Sequence, residues 1–257
     1  MKPFVHPASI VRTIWGRGNT ILLIFAGASA EFALNKSVDW LYYTGRLPAD
    51  PLGRLFSTVA HSQRIVFAEE ETALAAIDNI AAIHKGVEQK RGGSIPADAY
   101  LDVLFMLIGY SVSAFELLER KLSPAEKEEV FSVFSRVGRR MGLAGLPEHY
   151  TGWEPLREQH LQARLERSDF SVDLYRRYRQ SLGRVRYALL LQAQILLVPD
   201  RVRRLLGLTP FSFLYPAIPL YKLICFLRLE KAVKTLLLPG AYRSAVFQLD
   251  MAGEQTP

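Results

Sequence analysis

His84 is the residue whose position invites chemistry first. Ala73, Ile77, Ile80, His84 and Val87 recur at spacings of 4, 3, 4 and 3. The imidazole therefore shares the apolar stripe of a helix over 69–90 and points into the interior. A buried imidazole needs a partner for each ring nitrogen, which a backbone carbonyl, a side chain or a metal can supply. On the residues alone, a satisfied core histidine is the commoner outcome. The preceding helix, 51–67, sets Arg54, Thr58, His61 and Ile65 on one face at spacings of 4, 3 and 4. Arg54 could pair with a buried acid such as Glu116 or with an anionic ligand, and Thr58 could hydrogen-bond a bound molecule. The plain alternative is an arginine that snorkels and a threonine bonded back to its own helix. His61, one turn from Thr58, is either a distal group or second ligand, or a packed or solvated histidine.

Other chemistries are excluded or thinly supported. Cys225 is the only cysteine, so an internal disulfide and a CxxC metal site are both ruled out. The sequence has no GxSxG elbow, P-loop or Rossmann fingerprint. His6 falls in an N-terminal segment expected to be flexible, and nothing pairs His149 or His160 with acids at metal-ligand spacing. Asp98 and Asp102 share a helix face, but Asp98 reads as an acid at a helix N-terminus, as do Glu69, Glu70 and Glu71.

The elements that must position these residues are helical almost throughout. Apolar periodicity predicts helices near 8–14, 18–34, 51–67, 69–90, 97–120, 123–141, 153–166, 170–197, 199–206 and 220–237. Asp50-Pro51 places an N-cap before a proline at the first helical position, and Ser123-Pro124-Ala125-Glu126 is a capping box. Gly92-Gly93 and Gly142 mark C-termini. The stretch Tyr187–Val198 is nearly apolar all round, which predicts a central helix. A single all-α domain over residues 1–257 follows, because no linker divides the chain; 209–257 would be a C-terminal helical extension.

The net charge of +7 is regional. Residues 1–156 carry 16 Lys+Arg against 17 Asp+Glu, whereas 157–204 carry 11 arginines, no lysine and 5 acids. Between 175 and 187, Tyr175, Tyr178 and Tyr187 interleave with Arg176, Arg177, Arg179, Arg184 and Arg186, as on nucleic-acid surfaces. However, Arg176, Arg179 and Arg186 share one face while Leu182, Leu189 and Ala193 take another. A solvated basic face is thus the first reading, contact with anionic lipid the second and nucleic acid the last. No charge-free run of 18 strongly apolar residues is present, so a spanning helix is not expected. The uncharged stretch 18–30 imitates a signal peptide, but its strongly apolar part is too short for one. The proline-broken segment Leu205–Tyr221 is read first as a buried loop. The alternative is a membrane-interface element bearing Phe211, Phe213, Tyr215 and Tyr221.

Several segments together carry a resemblance. The run Asp50-Pro51-Leu52-Gly53-Arg54-Leu55-Phe56-Ser57-Thr58 resembles the DPxGRxxxT signature of the rubber-oxygenase superfamily. That group includes the latex clearing proteins and MpaB-type oxygenases. Ile83-His84-Lys85-Gly86-Val87 resembles its IHxxV segment, and Ser94–Asp98 resembles its YxAxD turn, with Ile95 at about the tyrosine position. Ala114-Phe115-Glu116 and Leu122-Ser123-Pro124-Ala125-Glu126 resemble the following helix end and LSxAE turn. The likeness runs over about residues 12–208, and the order and spacing of the segments carry it more than any one of them.

The resemblance implies a globin-like all-α bundle that binds haem b. His84 would be the iron ligand, and Arg54 and Thr58 would lie near the haem, with catalytic roles. It implies an oxygenase acting with dioxygen on an apolar, isoprenoid-like molecule. The basic block 157–204, read as a surface that rests against anionic lipid, adds the expectation of a cytoplasmic protein peripheral to the inner face of the membrane. Three positions depart from the family. Ser57 stands where latex clearing proteins carry a lysine, Leu104 stands at a second family histidine, and Ala33-Leu34-Asn35 replaces the usual AHP. These departures keep a second reading open, a non-catalytic helical protein that binds lipid or haem.

Overall fold

A computed structural model describes residues 2–43 and 49–219, with side chains at 41, 51–52, 54–57 and 59–60 outside that description. Among the described residues there are ten helices and no strand. They are α1 Ile10–Trp15, α2 Gly18–Phe32, α3 Asp39–Tyr43, α4 Pro51–Phe67, α5 Glu70–Arg91, α6 Ala97–Leu118, α7 Pro124–Arg140, α8 Tyr150–Arg164, α9 Asp169–Leu197 and α10 Asp200–Leu206. The predicted helix at 220–237 and the thiol of Cys225 lie outside the described residues.

Local signals set most helix ends. The Asp50 carboxylate accepts the Gly53 N–H at 2.9 Å ahead of Pro51. Ser123 and Glu126 cap each other reciprocally at the start of α7, and Gly92 ends α5 in the left-handed conformation. The short α3 has Asp39 in its first turn and is not among the helices that the periodicity predicts.

The centre of the bundle is α6, not the 187–198 stretch. α6 buries Leu101, Leu104, Phe105, Met106, Ile108, Tyr110, Val112, Ala114 and Phe115 and packs most extensively against α2, with α7 on another side. In α9, by contrast, only Gln194 and Leu197 of residues 187–197 are buried. Composition favours the wrong helix because α6 contains Asp102 and Tyr110, whose polar groups find partners inside the protein. Among the described helices, α6 is also the one long and apolar enough to cross a membrane by length and composition, with 67% of its most apolar window buried.

The approach of α2 to α6 depends on Gly27. A Cβ there would lie 2.3 Å from the Tyr110 ring, so only glycine lets the two backbones come this close. α2 is the stretch that imitates a signal peptide in sequence, and in the fold it buries Ile21, Ile24, Ala26 and Ala30.

The single face predicted for Arg176, Arg179 and Arg186 is not formed. α9 breaks at Gly183, whose φ of 71° and ψ of 175° interrupt the helical path, so helical spacing does not carry across it. The interleaved aromatics also turn inward. Tyr178 is fully buried, and the Tyr175 hydroxyl donates to Gln194 at 2.9 Å.

Candidate functional site

Helices α4 and α5 are joined by two residues, Ala68 and Glu69, and fold back on each other. At 1.5 Å per residue, the backbones of Arg54 and His84 both stand about 20 Å from that connection, Thr58 about 14 Å and His61 about 9 Å. Arg54 and His84 thus stand about equally far from the connection along their own helices, with Thr58 about one turn nearer it. The Arg54 side chain lies outside the described residues. Thr58, His61 and His84 are all half-buried.

The stripe predicted on α5 is graded. Ala73 and Ile77 are fully buried, while Ile80, His84 and Val87 are half-buried. The His84 ring meets Tyr100 of α6 edge to face, with centroids 5.2 Å apart, and its Nδ1 is enclosed by protein. The Tyr100 hydroxyl reaches Glu88 Oε1 at 3.4 Å, and the Ile95 N–H donates to the same oxygen at 2.8 Å. Burial, then the charge of Glu88, pushes the Tyr100 hydroxyl pKa up to about 12. One helical turn further along α5, Glu88 thus ties the imidazole's neighbour to the α5–α6 connection.

Glu116 has partners of its own among the described residues. It binds Lys121 at 2.8 Å, Lys127 at 3.5 Å and the Leu122 N–H at 3.1 Å. Burial alone would raise its pKa, but the Lys121 and Leu122 hydrogen bonds and the lysine charges outweigh that and lower it. Leu104 is core packing whose side chain abuts Gly138.

Two clefts are described. One of about 470 Å³ lies among Ser113, Glu116, Leu117, Leu196, Tyr215 and Ile218. The other, of about 670 Å³, lies among Thr13, Arg17, Phe115, Glu119, Arg120 and Glu129. Neither is lined by Thr58, His61 or His84.

The sequence did not reveal a polar layer between α2, α6 and α8. Arg157 makes a bidentate pair with Glu31, both buried, and the Tyr110 hydroxyl donates to Glu31 at 2.9 Å. Burial, then Glu31, holds the Tyr110 hydroxyl pKa well above its ordinary value. Asp102 accepts from Asn35 at 2.7 Å, lies 2.6 Å from His160 Nδ1 and 3.5 Å from Arg164 Nε. His149 likewise sits 3.3 Å from Glu128. Both histidines find an acid through the fold, across 58 and 21 residues. The available sequence signal was Arg157, His160 and Arg164 on one face of a helix, a polar stripe where an apolar one was expected.

Over residues 15–221 the chain matches the family described as "ER-bound oxygenase mpaB/B'/Rubber oxygenase, catalytic domain". The chain belongs to this family. No curated protein and no solved structure matches it significantly. Membership gives an oxygenase-type function, with a small molecule and dioxygen as the reactants, and covers the α4–α5 hairpin and the polar layer alike.

Among the described residues, no group of three or more His, Cys, Asp or Glu could hold a metal ion. Haem iron asks for less, because one axial imidazole holds it and the porphyrin supplies the other four nitrogens. In donor type the hairpin suits that requirement, with a half-buried imidazole in α5 and an arginine in α4.

Proposed function

We propose that this protein is a haem b-dependent oxygenase that oxidises or oxidatively cleaves an apolar, unsaturated, isoprenoid-like molecule. Family membership over residues 15–221 carries the reading, and His84 at the matching histidine position gives it a ligand. When bound, haem would supply the activation of dioxygen, and the protein would supply orientation and the exclusion of water. His84 would hold the iron. Arg54 would pair with a propionate through its planar guanidinium. Thr58 would hydrogen-bond within the pocket, and His61, one turn away, would flank it.

The test is an absorption spectrum of the purified full chain supplied with haem. A Soret band that weakens or shifts in His84→Ala supports the reading, and wild-type protein that takes up no haem overturns it.

One observation favours a second reading. Leu104 is locked into the core against Gly138 where relatives carry a histidine, which suits a non-catalytic helical protein that binds lipid or haem. Retained haem with no oxygen-dependent product from any unsaturated lipid would select it.

A further inference from the structure

Beyond α10 the chain leaves three large aromatic side chains in solvent. Phe211, Phe213 and Tyr215 are 85%, 63% and 70% exposed, which overturns the expectation of a buried loop. They occupy every second position, and the residues between them hold the backbone down. Ser212 is buried, its hydroxyl donating to the Gln192 carbonyl at 3.1 Å and accepting the Leu214 N–H at 3.1 Å. The Phe213 N–H donates to the Gln192 side-chain oxygen at 2.9 Å. Pro210 and Pro216 bracket the segment and stiffen it. The aromatics are therefore presented by an anchored backbone. Single exposed apolar residues are ordinary, but three large exposed aromatics within five residues of an anchored, turn-rich backbone mark an interaction surface.

The surrounding charge indicates what meets that row. From residue 174 to 219 the chain carries eight arginines, no lysine and a single acid, Asp200, so that stretch is +7. Arg176 and Arg177 pair with Asp173, and Arg203 pairs with Asp200. Arg179, Arg184 and Arg204 are exposed. Gln192, which anchors the row, stands about 9 Å along α9 from Arg186, and α10 with Arg204 leads directly into it. Large exposed aromatics in the same part of the chain as an excess of exposed arginines are the composition of an element that rests in the headgroup layer of an anionic bilayer.

The geometry points to Phe211, Phe213 and Tyr215 as a membrane-seating comb. Their rings would enter the boundary between headgroups and acyl chains of an anionic bilayer, while Arg179, Arg184 and Arg204 meet lipid phosphates. Aromatic rings favour that boundary because one side is apolar and the other wet, and guanidinium groups match phosphate oxygens in pairs. Tyr215 also lines the 470 Å³ cleft walled by Leu117, Leu196, Leu197 and Ile218. The comb thus sits at the rim of a partly apolar cleft. This inference does not depend on haem.

Vesicle flotation of the full chain tests it, using phosphatidylcholine vesicles with and without about one-third phosphatidylglycerol. The protein is expected to float with the anionic vesicles and to be released by salt. The Phe211→Ser, Phe213→Ser, Tyr215→Ser variant should keep its circular dichroism and lose about tenfold in bound fraction. Arg179→Gln, Arg184→Gln, Arg204→Gln should abolish the preference for anionic vesicles. A benzophenone amino acid at position 213 should crosslink to lipid. No flotation, or an aromatic variant that floats like wild type, overturns the inference. So does a crosslink from 213 to residues 220–257 of the same chain or to a second copy, since either would then be what covers the comb.

Discussion

His160 Nδ1 lies 2.6 Å from Asp102 Oδ1, joining α8 to α6 across 58 residues of sequence. Asp102 is almost fully buried and also accepts from Asn35 of the α2–α3 connection. One carboxylate thereby gathers three parts of the bundle. Replacing it with alanine leaves the Asn35 amide, His160 and Arg164 without their shared acceptor inside the protein. Asp102→Ala is expected to lose about 2–4 kcal/mol of stability, measured as a lower urea midpoint at unchanged slope. An unchanged midpoint would show that the carboxylate does not organise these groups.

The Glu31–Arg157 pair allows a sharper test, because it separates the cost of a broken pair from the value of an intact one. Glu31→Ala strands a buried guanidinium and should cost about 3–5 kcal/mol. Glu31→Leu combined with Arg157→Met removes both charges and should recover most of that loss. Because the Tyr110 hydroxyl also donates to Glu31, the recovery is expected to be incomplete. A double variant no more stable than the single one would show that the pair is net stabilising. Urea unfolding of both variants decides it.

What was legible in the sequence and what was not divides by range. Helix ends were legible where the signal is local, as at Asp50-Pro51 and Ser123–Glu126, because capping satisfies backbone groups within one turn. The polar layer was not legible, because Glu31 finds Arg157 126 residues away and neither residue type announces its partner. The same blindness moved the expected central helix to 187–198. Apolar composition was taken for depth, while α6 hides its polar groups by pairing them. Of the candidate site, the sequence placed Arg54, Thr58 and His84 on the facing helices of one hairpin. It could not foresee that Tyr100 would meet the His84 ring edge to face or that lysines would take Glu116.

Leu104 tests whether the family's second histidine could be restored here. Its side chain fills the space beside Gly138 in the α6–α7 contact, so an imidazole there would be buried in an apolar setting. Leu104→His is expected to destabilise the fold by about 2–3 kcal/mol in urea unfolding. It should not strengthen any haem absorbance. A gain in absorbance at unchanged stability would show that position 104 faces a ligand.

Asp173 and Glu126 are two of the carboxylates that contribute to the acid limb of the stability curve. Hydrogen bonds from Arg177 and Arg176 pull the Asp173 pKa down to about 2. Arg120 and the Ser123 backbone do the same for Glu126, also to about 2. A carboxylate whose folded pKa lies below its unfolded value, about 4, contributes fully above that unfolded value and is lost as pH falls toward 2. Urea midpoints should therefore drop between about pH 5 and pH 2. Asp173→Asn should start lower at neutral pH and fall less over the same interval. Parallel curves for the two proteins would show that Asp173 is equally easy to protonate folded and unfolded.

Gly183 isolates a backbone effect from packing. Its φ of 71° and ψ of 175° fall in a region that is essentially glycine's alone. A Cβ added there meets nothing within 4 Å, so the whole penalty of Gly183→Ala is conformational. The expected loss is about 1–3 kcal/mol, read as a lower thermal midpoint. The alternative outcome is informative, because alanine favours continuous helix. If α9 straightens instead, stability will hold, and the Arg184 and Arg186 side chains will turn relative to Arg176 and Arg179. Amide exchange across 180–186 distinguishes the two, since a kink leaves those amides quick to exchange and a continuous helix protects them.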